Sequence, residues 1–97
     1  MEKQGRITVK GIVQGVGFRP FVYARAIDLG ISGTVKNLGS EVGILARGER
    51  FDEFVAEVSC GPPLSRIDAV SIAETDEVVP DGFFIIKSAT GSFSGMI

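Results

Sequence analysis

The chain of 97 residues contains no histidine and only one cysteine, Cys60. A single chain of this composition can form neither an internal disulfide nor a zinc site built from thiol and imidazole ligands. Every catalytic triad that depends on histidine is excluded as well. We therefore expect no metal and no cofactor, and we expect Cys60 to be a buried or half-buried residue without a catalytic role.

The sequence also lacks a large excess of either charge and any long apolar run. Ten basic and twelve acidic side chains give a net charge of -2, so no broad positive field is available to hold nucleic acid. No apolar stretch approaches the roughly 20 residues that cross a bilayer, and the first residues have no apolar secretion signal. These absences predict a cytoplasmic protein with no nucleic acid and no membrane as its partner.

What the sequence does contain is the pattern of one small globular domain. Hydrophobic residues make up 44% of the chain, close to the average of soluble domains. Alternating or apolar runs predict strands over residues 6–13, 33–38, 42–47, 67–73 and 82–87. Apolar residues at helical spacing predict one helix from about Pro20 to Leu29, stopped by Gly30, and another over residues 51–58. Five phenylalanines are expected in the core, namely Phe18, Phe51, Phe54, Phe83 and Phe84.

The order of these elements predicts the fold class. Strand, helix, strand, strand, helix and strand are typical of an α+β, ferredoxin-like βαββαβ sandwich, in which two helices cover one face of an antiparallel sheet. Residues 82–87 supply a possible extra C-terminal strand, and the pairing of the last two strands stays open. We expect residues 1–88 to form the domain and residues 89–97, which are small and rich in Gly and Ser, to be a flexible tail or the start of a linker.

A glycine-rich loop joins the first predicted strand to the first predicted helix. It matches neither a Walker nor a Rossmann motif, because no Lys-Ser or Lys-Thr pair follows and Pro20 stands where the third Rossmann glycine belongs. A loop of this kind can nonetheless aim several main-chain N–H groups at one anion, and a nearby guanidinium matches two phosphate oxygens. Because Arg19 precedes Pro20, we expect it to stay in the loop. The alternative is a tight turn with a surface arginine.

Residues 11–19, Gly-Ile-Val-Gln-Gly-Val-Gly-Phe-Arg, resemble the first signature of the acylphosphatases, small ferredoxin-like enzymes that hydrolyse carboxyl phosphates. Residues 33–37, Gly-Thr-Val-Lys-Asn, resemble the Gly-x-Val-x-Asn stretch of the same family. The resemblance implies that Arg19 binds the phosphate and that Asn37 orients the attacking water. Glu41 stands where the family often has a glycine. The implied phosphate-binding residues are Gln14, Gly15, Val16, Gly17, Phe18 and Arg19.

Three further stretches, residues 19–22, 61–68 and 82–88, resemble the N-terminal domain of the hydrogenase maturation carbamoyltransferases. This resemblance implies a domain that precedes zinc-finger-like and nucleotide-handling domains in a larger protein. It also implies carbamoyl phosphate as a substrate, on the route to the cyanide ligands of nickel-iron hydrogenases. The expected partners are therefore a small acyl phosphate or carbamoyl phosphate, a phosphate or sulfate ion in the loop, and downstream domains of the same protein.

The residues suit this chemistry without a histidine. A carboxylate or carbamate leaving group needs no proton from the protein, and main-chain donors with Arg19 can stabilise the phosphoryl oxygens. Asn37 would hold the attacking water, whose proton the substrate phosphate accepts. Two alternatives stay open. One is a phosphate-binding module that does not hydrolyse its ligand and needs the rest of the carbamoyltransferase, and the other is a stand-alone general acylphosphatase. Without the resemblance, Asn37 is more often a turn former.

Overall fold

The computed structural model describes residues 2–86, which form one sheet covered on one face by two helices. Residue 87 of the last predicted strand and the predicted tail over residues 89–97 lie outside the described residues. The observed architecture confirms the predicted ferredoxin-like sandwich with an extra C-terminal strand. The elements are β1 (Lys3–Ile12), α1 (Phe18–Leu29), β2 (Ser32–Asn37), β3 (Glu41–Gly48), α2 (Phe51–Cys60), β4 (Arg66–Ala73) and β5 (Phe83–Ile86).

The strands lie in the order β4-β1-β3-β2-β5. The first four pair in antiparallel fashion, whereas β5 pairs parallel to β2, with Gly33 opposite Phe83. Because β4 and β5 occupy opposite edges, the chain between them must return across the sheet. Gln4 donates a hydrogen bond to the Thr75 carbonyl at 2.7 Å and Arg47 donates one to the Val79 carbonyl at 3.3 Å, so side chains of β1 and β3 hold this connection.

The core lies between the helices and the inner face of the sheet. Val22, Ala26 and Leu29 of α1 are buried, as the helical spacing predicts. Phe54 and Val58 of α2 are also completely buried. The inner face of the sheet contributes a set of aliphatic side chains that solvent does not reach, namely Ile7, Val9, Val35, Val42, Ile44 and Ala46.

The expectation that all five phenylalanines belong to the core is wrong for Phe84. Phe83 is 4% exposed and packs edge-on against Phe54, with ring centroids 6.1 Å apart. Successive residues of a strand point to opposite faces, so Phe84 is on the outer face and is 49% exposed. The remaining three, Phe18, Phe51 and Phe54, are buried as predicted.

The helix ends differ in part from the prediction. α1 begins at Phe18 rather than near Pro20, because Gly17 adopts the left-handed conformation (φ 76°) and serves as the N-cap. At the other end Gly30 has φ 66°, and the N–H of Ile31 bonds the Ala26 carbonyl at 2.8 Å, which is the glycine stop that the sequence predicts. Cys60, the last residue of α2, is exposed rather than buried.

The sheet has two ends that differ in what they carry. We call the end at which β1 stops, at Ile12, the loop end, because the glycine-rich loop follows it. The register places Asn37, the last residue of β2, at the same end, and the opposite end, where β1 begins at Lys3, is called the far end. Within residues 2–86 neither helix is long and apolar enough to span a membrane.

Candidate active site

Two glycines shape the loop between β1 and α1. Gly15 and Gly17 have φ values of 72° and 76°, in the left-handed region that favours glycine. Val16, between the two glycines, is half-buried and packs against the core, and Phe18, directly after them, is 1% exposed. These two apolar side chains anchor a loop whose glycines leave the main chain accessible. This anchoring role of Val16 was not predicted, and an apolar residue between two glycines is the sequence signal that could have indicated it.

The N–H groups of this loop are free to bind a ligand. None of the main-chain N–H groups from Gln14 to Arg19 donates a hydrogen bond to another part of the described chain, and no side chain caps α1. The first intrahelical bond is donated by the N–H of Phe21 to the Gly17 carbonyl at 3.1 Å. No acidic side chain occupies the first turn of α1. The unpaired donors and the positive end of the helix dipole therefore form a site suited to an anion.

Arg19 lies in the first turn of α1 and not in the loop, which corrects the sequence-based expectation. The cap at Gly17 starts the helix early, and the missing N–H of Pro20 costs nothing in a first turn. The Arg19 side chain is half-buried. Among the arginines, it is the one whose guanidinium has no carboxylate oxygen of a described residue within 4 Å.

Asn37 ends β2 on the face of the sheet that the helices cover. It is two residues after the fully buried Val35 and lies opposite Val42 of β3, which in turn lies opposite Val9 of β1. Two strand spacings, about 10 Å, thus separate Asn37 from the strand that leads into the loop. α1 runs antiparallel to β1 and packs over β2 and β5, so its first turn lies at the same end of the sheet as Asn37.

The side-chain oxygen of Asn37, Oδ1, is buried and receives no hydrogen bond from any described residue. Buried acceptors without a donor are uncommon and costly, of the order of 1–3 kcal/mol. A turn-forming Asn would use this oxygen on its own backbone, and no such bond is present. The amide oxygen is therefore available to a water molecule or a ligand.

Glu41 begins β3 and leaves the hairpin intact. The N–H of Leu38 donates a hydrogen bond to the Glu41 carbonyl at 2.8 Å, and Gly39 takes up positive φ (88°) in the connection over residues 38–40. The Glu41 carboxylate lies 3.8 Å from the ammonium of Lys10, its register partner in β1. Both side chains are on the outer face, because their neighbours Val42 and Val9 point inward. The Glu41 charge is thus paired and lies on the face opposite to Asn37.

The structure brings the predicted site residues together at the loop end. Gln14, Gly15, Val16, Gly17, Phe18 and Arg19 form one continuous stretch, and Asn37 joins them through the sheet register. A surface cavity of about 430 Å³ lies elsewhere, at the far end, and Lys3, Phe51 and Ile72 contribute to its lining. None of the predicted site residues lines it. The free donors, rather than this cavity, therefore mark the candidate site.

Fold and site together define a small α+β domain that presents a glycine loop and an arginine to an anion. The family model "Acylphosphatase" matches residues 5–85. The chain belongs to the acylphosphatase family.

Three known proteins show how the similarity is distributed. The probable carbamoyltransferase HypF of Methanocaldococcus jannaschii is 51% identical over 87 residues, which cover 86% of this chain and 11% of the relative. The crystal structure of acylphosphatase from Bacillus subtilis, 39% identical, superposes with a TM-score of 0.80 over 89% of this chain and 99% of that one. The crystal structure of full-length HypF in the phosphate- and nucleotide-bound form is 34% identical in sequence. It superposes with a TM-score of 0.83 over 92% of this chain and 12% of HypF. The chain thus spans about a tenth of the carbamoyltransferases and the whole of a small acylphosphatase.

Proposed function

We propose that this domain hydrolyses carboxyl phosphates by attack of water at phosphorus. The observation that carries the proposal is the buried, unpartnered Oδ1 of Asn37, at the same end of the sheet as the free N–H groups of residues 14–19. A plain phosphate-binding loop needs the donors but has no use for a second, isolated acceptor. An acceptor is what holds a water molecule in position for attack.

The phosphoryl group would be bound by main-chain donors and Arg19. The N–H groups of residues 14–19 are unpaired, and the Arg19 guanidinium has no carboxylate partner within the described chain. Together they supply a positive, preorganised surface for three phosphoryl oxygens, which carry the charge in the transition state. The protein need not supply a strong general base, because the substrate phosphate is itself a base.

The proposed reaction balances without a cofactor. The water oxygen held by Asn37 forms a bond to phosphorus while the bond between phosphorus and the acyl oxygen breaks. The electron pair of the broken bond leaves with the carboxylate, or with carbamate when the substrate is carbamoyl phosphate. One water proton passes to a phosphoryl oxygen, and the products are inorganic phosphate and the free acid anion.

Carbamoyl phosphate is our proposed substrate in the full-length protein. The M. jannaschii relative is named as a carbamoyltransferase, and the chain matches about a tenth of it. We accordingly propose that residues 1–88 act as one domain, that residues 89–97 lead toward downstream domains, and that hydrolysis serves cyanide-ligand synthesis for nickel-iron hydrogenases. The relatives that the chain matches over their whole length favour a second candidate, a stand-alone general acylphosphatase.

The experiment that tests the mechanism uses acetyl phosphate in water enriched in oxygen-18. Attack at phosphorus places the label in inorganic phosphate, whereas attack at the acyl carbon places it in acetate. We expect label in phosphate only, with release well above the rate without protein. Label in acetate would contradict the assigned position of the water. Phosphate binding without release would leave the phosphate-binding module as the function.

A further inference from the structure

Within residues 2–86, the charged side chains that lack a partner of opposite charge are separated between the two ends of the sheet. Among residues 2–86, seven of the nine basic side chains have a carboxylate oxygen within 4 Å. The two without such a partner are Arg19 and Lys36. Arg19 is in the first turn of α1, and Lys36 is next to Asn37 in β2, so both lie at the loop end.

The carboxylates show the opposite distribution. Of the acidic side chains, three have no basic partner within 4 Å among the described residues, namely Glu49, Glu74 and Asp76. Glu49 directly follows β3, and the other two follow β4. The register places the last residues of β3 and β4 beside the first half of β1, so all three carboxylates are at the far end.

We propose that this charge separation steers the anionic substrate to the loop end and that Lys36 is the residue that extends the attraction beyond the phosphate contact. The inference rests on the proposed function. Lys36 is on the outer face, opposite Gly43 in the register, whereas Asn37 is on the inner face. Its ammonium therefore acts across the strand end through its field and not as a ligand of the phosphate.

Glu41 is a carboxylate of β3 at the loop end whose charge opposes this attraction. It is on the same outer face as Lys36, two residues before Gly43, and its charge is engaged by Lys10 at 3.8 Å. Removing the Glu41 charge would leave Lys10 uncompensated and make the loop end more positive. The two positions thus predict opposite changes in substrate capture.

The test is the ionic-strength dependence of kcat/KM for acetyl phosphate. For a dianion at a separation on the order of 10 Å, loss of one positive charge lowers capture roughly threefold at about 10 mM salt and by almost nothing at about 500 mM. We expect Lys36→Gln to raise KM by this factor at low salt with kcat unchanged, and Glu41→Gln to lower KM. Lys3→Gln is the matched control, since it makes the same change in net charge at the far end, where Lys3 pairs with Asp52 at 2.9 Å.

Equal effects of Lys36→Gln and Lys3→Gln, or an effect of Lys36→Gln that persists at high salt, would overturn the proposal. The Kd of inorganic phosphate, measured by NMR titration over the same salt range, separates this failure from failure of the proposed function. Without turnover, a salt-dependent loss of phosphate affinity in Lys36→Gln alone still establishes the steering. If Lys36→Gln binds inorganic phosphate as tightly as wild type at low salt, the steering is refuted whatever the domain catalyses.

Discussion

Asn37 lies directly opposite Val42 in the β2–β3 ladder, yet the two side chains differ in how well their surroundings suit them. Val42 is completely buried in the core, whereas the Asn37 oxygen is buried without a hydrogen-bond donor in the described chain. A residue chosen only for packing at this position would be apolar, because an unsatisfied amide costs stability. The register thus locates a polar group where the core meets the anion-binding loop, and this arrangement favours a functional role.

Replacement of Asn37 by Ala should remove turnover and keep phosphate binding. The substitution deletes the water-holding oxygen but leaves the loop donors and Arg19 in place. We expect kcat to fall by about 100-fold, the scale at which a lost positioning contact affects catalysis. Steady-state kinetics and a phosphate titration of the same variant measure the two effects. A variant that retains the wild-type kcat would remove Asn37 from the mechanism.

Gly17→Ala and Gly33→Ala should differ sharply in stability, although both glycines have positive φ. A Cβ on Gly17 meets nothing within 4 Å, so the cost is the left-handed backbone alone, about 1 kcal/mol. A Cβ on Gly33 would lie 1.7 Å from the Leu45 carbonyl oxygen, and the β2–β3 ladder would have to open. We expect a loss of at least ~3 kcal/mol there, measured by urea unfolding. Similar losses in both variants would show that the loop backbone is not independent of the sheet.

Phe83 should contribute most of the stability that β5 gives to the fold. Its ring is 4% exposed and packs against Phe54 and against Tyr23, with centroids 6.1 Å and 6.3 Å apart. We expect Phe83→Ala to lower the free energy of unfolding by about 3–5 kcal/mol. Phe84→Ala, at the half-exposed neighbour, is the control and should cost less than about 1 kcal/mol. The reverse order would mean that the outer face of β5 is the covered one.

The start of α2 should show a small acid-sensitive contribution to stability. Arg50 donates two hydrogen bonds to Glu53, at 2.9 Å and 2.7 Å, and these bonds hold the pKa of the Glu53 carboxyl below its ordinary value. A carboxyl whose pKa is lowered by folding stabilises the native state above its ordinary pKa, and this contribution is lost as the pH falls through the folded value. Glu53→Gln should therefore be slightly less stable than wild type at pH 7.

The same comparison at about pH 3 serves as the control for this pair. As the pH falls through the lowered pKa of the folded state, the wild-type carboxyl takes up its proton, so the difference between Glu53→Gln and wild type should shrink toward acid pH. The effect is small at any pH because both side chains are solvent-exposed. Denaturant unfolding at the two pH values measures it, and a difference that does not change with pH would contradict the assignment to charge.

Much of the fold follows from local signals in the sequence, and the exceptions have identifiable physical causes. The spacing of Val22, Ala26 and Leu29 predicts the buried face of α1, and Gly30 marks its end. The predicted start of α1 near Pro20 is wrong, because the left-handed cap at Gly17 begins the helix at Phe18. This cap outweighs the preference of Arg19, which precedes a proline, for an extended conformation. The strand that pairs with β5 could not be predicted, because the chain crosses the whole sheet before β5 begins and no local pattern encodes such a crossing.

The candidate site divides in the same way. The two motifs predict which residues belong to it, and the structure places them at one end of the sheet. The orphaned oxygen of Asn37 and the lone charge of Lys36 were not predictable, because both depend on which groups fail to find a partner after folding. Burial of Asn37 depends on its place two residues after Val35, and isolation of Lys36 depends on Glu41 pairing with Lys10.

The most direct test of the central claim is phosphate release from carbamoyl phosphate and from acetyl phosphate by the wild-type chain and by Arg19→Ala. Arg66→Ala is the matched control, since Arg66 is also at the loop end but pairs with Asp68 at 3.1 Å. We predict release by wild type and Arg66→Ala well above spontaneous hydrolysis, and a loss of about 100-fold or more in Arg19→Ala. Release at the spontaneous rate by all three proteins, or equal release by wild type and Arg19→Ala, would contradict the account.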